Sequence, residues 1–265
     1  MVKKIPTRLE KHGHVRIDDY YWLKERENPE VIAYLNAENE YAEKEMSHTQ
    51  PSEDKLFNEI KARFKQTDMS VPYQRDGYFY YTRYEEGREY PIFARKRGSL
   101  DKAEEIMLDA NILARGHEFF SIGGLAVSAE RDLLAYAVDT QGRRVYTTYF
   151  KNLGTGEMLA DVIPEVSENL TWANDNRTLF YAKQEPTTLR AYQIYRHMLG
   201  SDPAEDQLVF EETDETFAAY VFKTKSKKYL MIVSSHTLSQ EYRYLEADNP
   251  TGTFNVFLAR ERDHE

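Results

Sequence analysis

Two hydrophobic patterns divide the chain, and they meet near residue 72. From Gln74 onward a polar turn is followed, again and again, by a short apolar or aromatic run. The four turn-strand segments are Arg75-Asp76-Gly77-Tyr78-Phe79-Tyr80-Tyr81, Ala129-Glu130-Arg131-Asp132-Leu133-Leu134-Ala135-Tyr136, Asn174-Asp175-Asn176-Arg177-Thr178-Leu179-Phe180-Tyr181 and Lys225-Ser226-Lys227-Lys228-Tyr229-Leu230-Met231-Ile232. Their first apolar residues, Tyr78, Leu133, Leu179 and Tyr229, are spaced 55, 46 and 50 apart. A period of this size with several strands per unit predicts a β-propeller. The expected blades are 73–115, 116–163, 164–213 and 214–260, with no helical insertion. The run 254–258 either closes the fourth blade or borders a fifth.

Before residue 72 the period is helical. Asn28-Pro29-Glu30 predicts a helix start, with an Asn cap and Pro in the first turn. Val31, Ile32, Leu35, Ala42 and Met46 then recur at near-helical spacing, widened by Tyr34 and Tyr41. After Pro51, Ser52 is the expected cap of a second helix carrying Leu56, Phe57, Ile60 and Phe64, with Glu59 and Arg63 at i,i+4. Residues 1–72 are therefore expected to form an N-terminal arm and two helices, and 73–265 a partial β-propeller. The fold class is mainly β.

Composition narrows the functions open to such a fold. With 35 Lys and Arg against 45 Asp and Glu, the formal charge of −10 argues against nucleic acid as a partner. The basic runs Arg95-Lys96-Arg97 and 223–228 sit beside turn signals and are expected to be solvated loops. The absence of cysteine removes disulfides, thiolate nucleophiles and cysteine-bound zinc. Neither a signal peptide nor a run of roughly 18 apolar residues is evident, so a cytoplasmic protein without a membrane span is expected. Twenty Tyr and thirteen Phe suit half-buried pleated surfaces.

The most specific string is His12-Gly13-His14-Val15-Arg16-Ile17-Asp18-Asp19-Tyr20-Tyr21-Trp22-Leu23. Read by its chemistry, it is an extended arm that docks aromatic side chains on another surface. Arg16, Asp18, Tyr20, Trp22 and Leu23 also fit the Arg-x-Asp-x-Tyr-x-Trp-Leu opening of the prolyl oligopeptidase family of serine peptidases. Asn28-Pro29-Glu30-Val31, Leu35-Asn36-Ala37-Glu38-Asn39 and the stretches 60–72 and 80–92 extend the likeness, which resembles the oligopeptidase B branch most. The resemblance runs in order through essentially all 265 residues.

It implies a seven-bladed propeller over a C-terminal α/β-hydrolase domain with a Ser, Asp and His triad, cleaving short peptides after Arg or Lys. The propeller would restrict access to small peptides, and the arm would dock toward the catalytic domain. This sequence contains no G-x-S-x-G elbow. Gly98-Ser99 and Gly200-Ser201 lack the second glycine, so no catalytic residue carries over. No closing strand follows Arg260-Glu261-Arg262-Asp263-His264-Glu265, and the array is expected to be cut at about four blades.

Other candidates are weaker. His117-Glu118 lacks the second His of a zinc protease motif, since position 121 is Ser121. His12-Gly13-His14 has no further ligands in view. Gly116-His117 and Gly123-Gly124 match fragments of WD and kelch repeats once each and are expected to be turns. The paired acids Glu85-Glu86, Glu104-Glu105 and Glu211-Glu212 are expected at solvated loop tips, where they would attract basic peptides.

No catalytic, cofactor-binding or metal-binding residue is therefore assigned, and no cofactor is expected. The leading expectation is the propeller region of an oligopeptidase B-like endopeptidase, inactive alone, that gates and size-selects short basic peptides for a catalytic domain docked on the arm. The alternative is a free-standing propeller-type interaction module without catalysis. An unrelated propeller hydrolase or lectin-like protein is disfavoured by the arm motif.

Overall fold

The computed structural model describes residues 2–261 and divides into two units, Met1–Lys65 and Gln66–Glu265. In the first unit, β1 (Thr7–Lys11) and β2 (His14–Asp18) form an antiparallel hairpin. Its two-residue loop, His12-Gly13, has positive φ at both positions, the geometry that matches strand twist. The segment expected to be an extended arm is therefore folded on itself. Asp18 Oδ1 accepts from the Tyr20 amide at 3.0 Å, and Tyr21–Lys24 form a 3-10 turn. Trp22 is buried there, its indole N–H donating to the Lys3 carbonyl at 3.1 Å.

Helix α1 (Pro29–Met46) starts where the sequence predicts. The Asn28 side chain accepts from the Glu30 amide at 2.9 Å, satisfying one of the helix's orphan donors. Helix α2 (Gln50–Ala62) departs from expectation, because Ser52 lies inside it and Thr49 occupies the cap position. The Thr49 hydroxyl turns back to the Met46 carbonyl and to Glu53 instead of capping an amide. Of the apolar stripe on the two helices only Val31 is buried.

The second unit begins earlier than Val71-Pro72. Residues 68–70 already pair with the following strand, through Ser70 N–H to Thr82 O at 2.9 Å and Tyr84 N–H to Asp68 O at 2.8 Å. Four separate four-stranded antiparallel meanders follow. The first holds β3 (Tyr73–Arg75), β4 (Tyr78–Arg83), β5 (Ile92–Arg97) and β6 (Glu104–Asp109). A short helix, α3 (Ala110–Leu113), comes next, an insertion that strand periodicity did not predict. It is nucleated by Asp109, whose carboxylate accepts from the Asn111 amide.

The second sheet holds β7 (Ser121–Val127), β8 (Leu133–Asp139), β9 (Tyr146–Asn152) and β10 (Met158–Val166), the last running past residue 163. The third holds β11 (Leu170–Trp172), β12 (Thr178–Gln184), β13 (Ala191–Met198) and β14 (Gln207–Glu211), with a 3-10 turn at Pro203–Glu205. The fourth holds β15 (Ala218–Lys223), β16 (Tyr229–His236), β17 (Ser239–Glu246) and β18 (Asn255–Leu258). Pairing of β18 with β17 makes residues 255–258 the outer strand of the fourth sheet. Of the expected terminal loop, residues 262–265 lie outside the described residues.

The core lies between the sheets. Along β8, Leu133, Ala135 and Ala137 join one buried cluster with Trp172, Leu179 and Tyr181. The alternate residues Leu134, Tyr136 and Val138 join another with Tyr80, Met107 and Leu108. Strand β12 repeats this, with Leu179 and Tyr181 on the second-sheet side and Phe180 and Ala182 packed among Ala219, Val221, Leu230 and Ile232. A strand buried on both faces reads as a continuous apolar run, which explains the unbroken strings in the sequence.

A polar clamp also ties the second sheet to the third. His197, on β13, is fully buried, with Nδ1 2.8 Å from Asp206 Oδ1 and Nε2 3.1 Å from Asp161 Oδ1 on β10. Tyr181 donates to the other Asp206 oxygen at 2.9 Å, and Phe150 lies against the imidazole. Burial opposes charge on this ring, but the hydrogen bonds and charges of Asp206, then Asp161, outweigh it and hold the pKa above the usual histidine value.

Candidate functional site

The first strand of every sheet faces a common cavity of about 210 Å³. Tyr73 and Arg75 of β3, Leu125 to Val127 of β7, Leu170 to Trp172 of β11, and Lys223 of β15 contribute to its lining. Each of these strands ends in a turn, and each turn has one non-glycine residue in the left-handed region: Asp76 (followed by Gly77, also left-handed), Arg131, Asn176 and Lys227, with φ between 54° and 67° for these four. The polar turn of the sequence repeat is thus a recurring backbone conformation supplied by four different side chains.

Hydrogen bonds join these turns in a circuit. Arg95 of the first sheet donates to the Arg131 carbonyl at 2.7 Å. Asn176 accepts from the Glu130 amide at 3.0 Å and donates to Asp132 at 2.9 Å, joining the second turn to the third. Asn174 donates to the Lys227 carbonyl at 2.9 Å, while Lys223 Nζ donates to Asn174 Oδ1 at 2.8 Å and to Ala173 O at 3.1 Å. An ion pair between Lys227 and Asp76 returns the circuit from the fourth turn to the first.

The charge of the cavity opposes that of the chain. Arg75, Arg131, Lys223 and Lys227 line it with a single carboxylate, Asp76. The hydrogen bond from Lys227 holds the Asp76 carboxyl below its ordinary range, against its partial burial. Burial, followed by the charges of Arg75 and Lys227, pushes the Lys223 amine down to about 8.

A wider cavity is lined by Gly123, Gly124, Arg144, Tyr146, Glu168, Gln184 and Arg190, among others. Gly123-Gly124, expected as a turn, lies inside β7. A Cβ on Gly124 would stand 1.9 Å from the Glu168 carbonyl oxygen, so glycine is required by close backbone approach.

Several charged residues expected on solvated loops are structural. Arg95 is buried in β5, donates to Glu105 at 2.8 Å and lies over the Tyr78 ring at 4.2 Å. Glu104 accepts from Tyr81 and from the Arg83 guanidinium. Glu212 is buried against Ser234 and Arg260, which together with the Asp214 amide keep its pKa low despite desolvation. In each case a partner ten or more residues away satisfies the charge, information that a local turn signal does not carry. Glu85 is held by Arg83 at 2.6 Å.

The remaining sequence candidates stay apart. His12 sits at a hairpin tip and His14 at the start of β2. His117 leans on Phe120, and Gly98 and Gly200 occupy left-handed turns. Sequence reasoning missed Lys223 and Arg131 because their common cavity is assembled from repeats about ninety residues apart. The available signal was their place in the repeat, at the end of a first strand and in the turn after it.

Comparison with known proteins places this architecture. The chain is 42% identical over 271 residues to dipeptidyl aminopeptidase BI of Pseudoxanthomonas mexicana, covering 96% of this chain and 37% of that protein. It is 37% identical to protease 2 of Moraxella lacunata, covering 94% of this chain and 37% of that protein. The structure of oligopeptidase B from Leishmania major superposes with a TM-score of 0.90 at 29% identity, covering 99% of this chain and 40% of that one. The chain thus spans a little over a third of the length of these relatives. A family model described as prolyl oligopeptidase, N-terminal beta-propeller domain, matches residues 1–265. The chain belongs to the prolyl oligopeptidase family, of which it carries the N-terminal propeller portion.

Proposed function

We propose that this chain is the gating and size-selecting portion of an oligopeptidase B-like serine endopeptidase, acting on short peptides with Arg or Lys before the scissile bond. The observation that carries the reading is the match of the whole 265-residue chain to the family's propeller domain. On this reading an arm with two helices over 1–72 leads into a partial propeller over 73–265 that belongs with a separate catalytic domain. Among the described residues no serine stands in a nucleophile elbow, so the chain alone carries no recognised nucleophile. Its net charge of −10 favours capture of basic peptides, an effect that added salt would weaken. A cytoplasmic setting is part of this reading. No described helix is long and apolar enough to cross a membrane.

The relative named dipeptidyl aminopeptidase supports a second reading, in which dipeptides are removed from peptide N-termini. One pair of assays tests both. The 265-residue chain should leave a short Arg-containing peptide amide intact, and robust hydrolysis that survives purification would overturn the assignment of a lid without a nucleophile. The longer polypeptide to which the proposal assigns the chain should cleave after an internal Arg in an N-terminally blocked peptide. Cleavage only when the N-terminus is free would favour the dipeptidyl aminopeptidase reading.

A further inference from the structure

The axial cavity carries more cationic charge than its own structure uses. Lys227 is paired with Asp76, and Arg75 Nε lies 3.7 Å from the same carboxylate. Among the described residues Lys223 donates to two neutral oxygens, Ala173 O and Asn174 Oδ1, with the charges of Asp175 and Asp248 acting on it without a direct bond. Arg131 lines the same space and makes no close ion pair among the described residues, although its charge adds slightly to the lowering of the Asp76 carboxyl. These cations come from three different sheets and meet beside Tyr80, Leu125 and Trp172, in a chain whose net charge is −10.

We infer that this cavity is an oxyanion-binding site, in which Lys223 and Arg131, assisted by Arg75, hold a carboxylate or phosphate group where the four turns meet. Like charges held together beside apolar walls repel, and an anion converts that repulsion into charge-assisted hydrogen bonds. The guanidinium of Arg131 offers a planar donor fork suited to two oxygens, and the Lys223 ammonium a compact third charge. The volume, about 210 Å³, is below the roughly 300 Å³ at which pockets for drug-sized ligands begin. The guest is therefore a small anionic head, either free phosphate or the carboxylate end of a short peptide. Burial first, and then the charges of Arg75 and Lys227, depress the Lys223 amine, and the charges of Asp175 and Asp248 offset this only in part.

The test uses the 265-residue chain at low ionic strength and needs no hydrolysis, so its failure would leave the peptidase assignment standing. Inorganic phosphate, an N-acetylated tripeptide with a free carboxylate and the same tripeptide as its amide are titrated by calorimetry. Saturable binding of phosphate alone supports the site with free phosphate as guest. Binding of the free-carboxylate peptide with little response to its amide supports a peptide terminus. Lys223→Met and Arg131→Gln should each weaken binding by about tenfold or more while circular dichroism stays unchanged, as expected for loss of one charge-assisted contact.

Lys223 also packs, so a wild-type measurement accompanies the variants. NMR of reductively methylated lysines should show the Lys223 pKa rising when the bound anion is present. No saturable binding by phosphate or carboxylate, affinities equal to wild type in both variants, or a Lys223 pKa unmoved by a saturating anion would each overturn the proposal.

Discussion

The two units use the same kinds of apolar residue, one at helical spacing and the other in strand runs, and bury them to opposite extents. In the helices, Leu35 is 53% exposed and Phe57 63%, on stripes at near-helical spacing. In the sheets, Phe180 and Tyr181 are both fully buried, though they are adjacent and point to opposite faces of β12. Periodicity reports which residues share a face. Whether that face is covered depends on what stands opposite, and a strand between two neighbouring sheets has cover on both sides.

The largest expected effect tests the better-covered side. Phe180→Ala removes a ring packed among Ile194, Ala219, Leu230 and Phe254, and should cost about 3–5 kcal/mol in urea unfolding followed by tyrosine fluorescence. A loss below about 1 kcal/mol would show that the space between the third and fourth sheets collapses freely, contrary to its close packing.

The His197 clamp should come next. Replacing His197 with Leu leaves Asp161 and Asp206 in a buried setting without their shared cation, at a cost of about 3 kcal/mol. Its pH dependence has a definite sign. Because the folded pKa is raised, the clamp's contribution is complete below the unfolded histidine value of about 6.5 and fades as pH rises through the folded value. Tm differences between wild type and His197→Leu should therefore narrow toward alkaline pH. A difference that widens instead would mean the buried ring is neutral when folded. Asp161, Asp206 and the Tyr181 hydroxyl that serves Asp206 are the polar groups in this cluster whose own variants would check the assignment.

The smallest effect is expected on the helices. Leu35→Ala and Phe57→Ala should each change the stability of the 265-residue chain by less than about 0.5 kcal/mol, as measured by thermal melts at low protein concentration. A cost above about 1 kcal/mol would mean that the stripe is covered in solution, and sedimentation would then show whether a second copy covers it.

How much of this was legible beforehand depended on the range of the interactions involved. Asn28 as a cap, the turn at Arg75-Asp76-Gly77 and the strand starts at Tyr78, Leu133 and Tyr229 are set within a few residues and stood in the sequence, while β12 starts at Thr178, one residue before the expected Leu179. Thr49 displaced Ser52 because α1 and α2 are joined through a 3-10 turn at Ser47–Thr49 with almost no break, leaving no extended residue to act as a conventional cap. Arg95, Glu104 and Glu212 looked solvent-directed because their partners are not neighbours in sequence. The axial cavity was the least legible feature. No single repeat contains it, and only the register of four first strands brings Arg75, Arg131 and Lys223 together.

The left-handed turn positions have a consequence for how such a protein diversifies. Asp76, Arg131, Asn176 and Lys227 share a backbone shape while differing in charge. The cost of that shape is set mainly by the Cβ atom, and Asn and Asp bear it more easily than long cations do. Substitution at Asp76, Arg131 or Lys227, which line the cavity, can therefore change its charge without altering a strand or a core residue. A propeller of this design can change the charge at its rim while its scaffold stays under unchanged selection for stability.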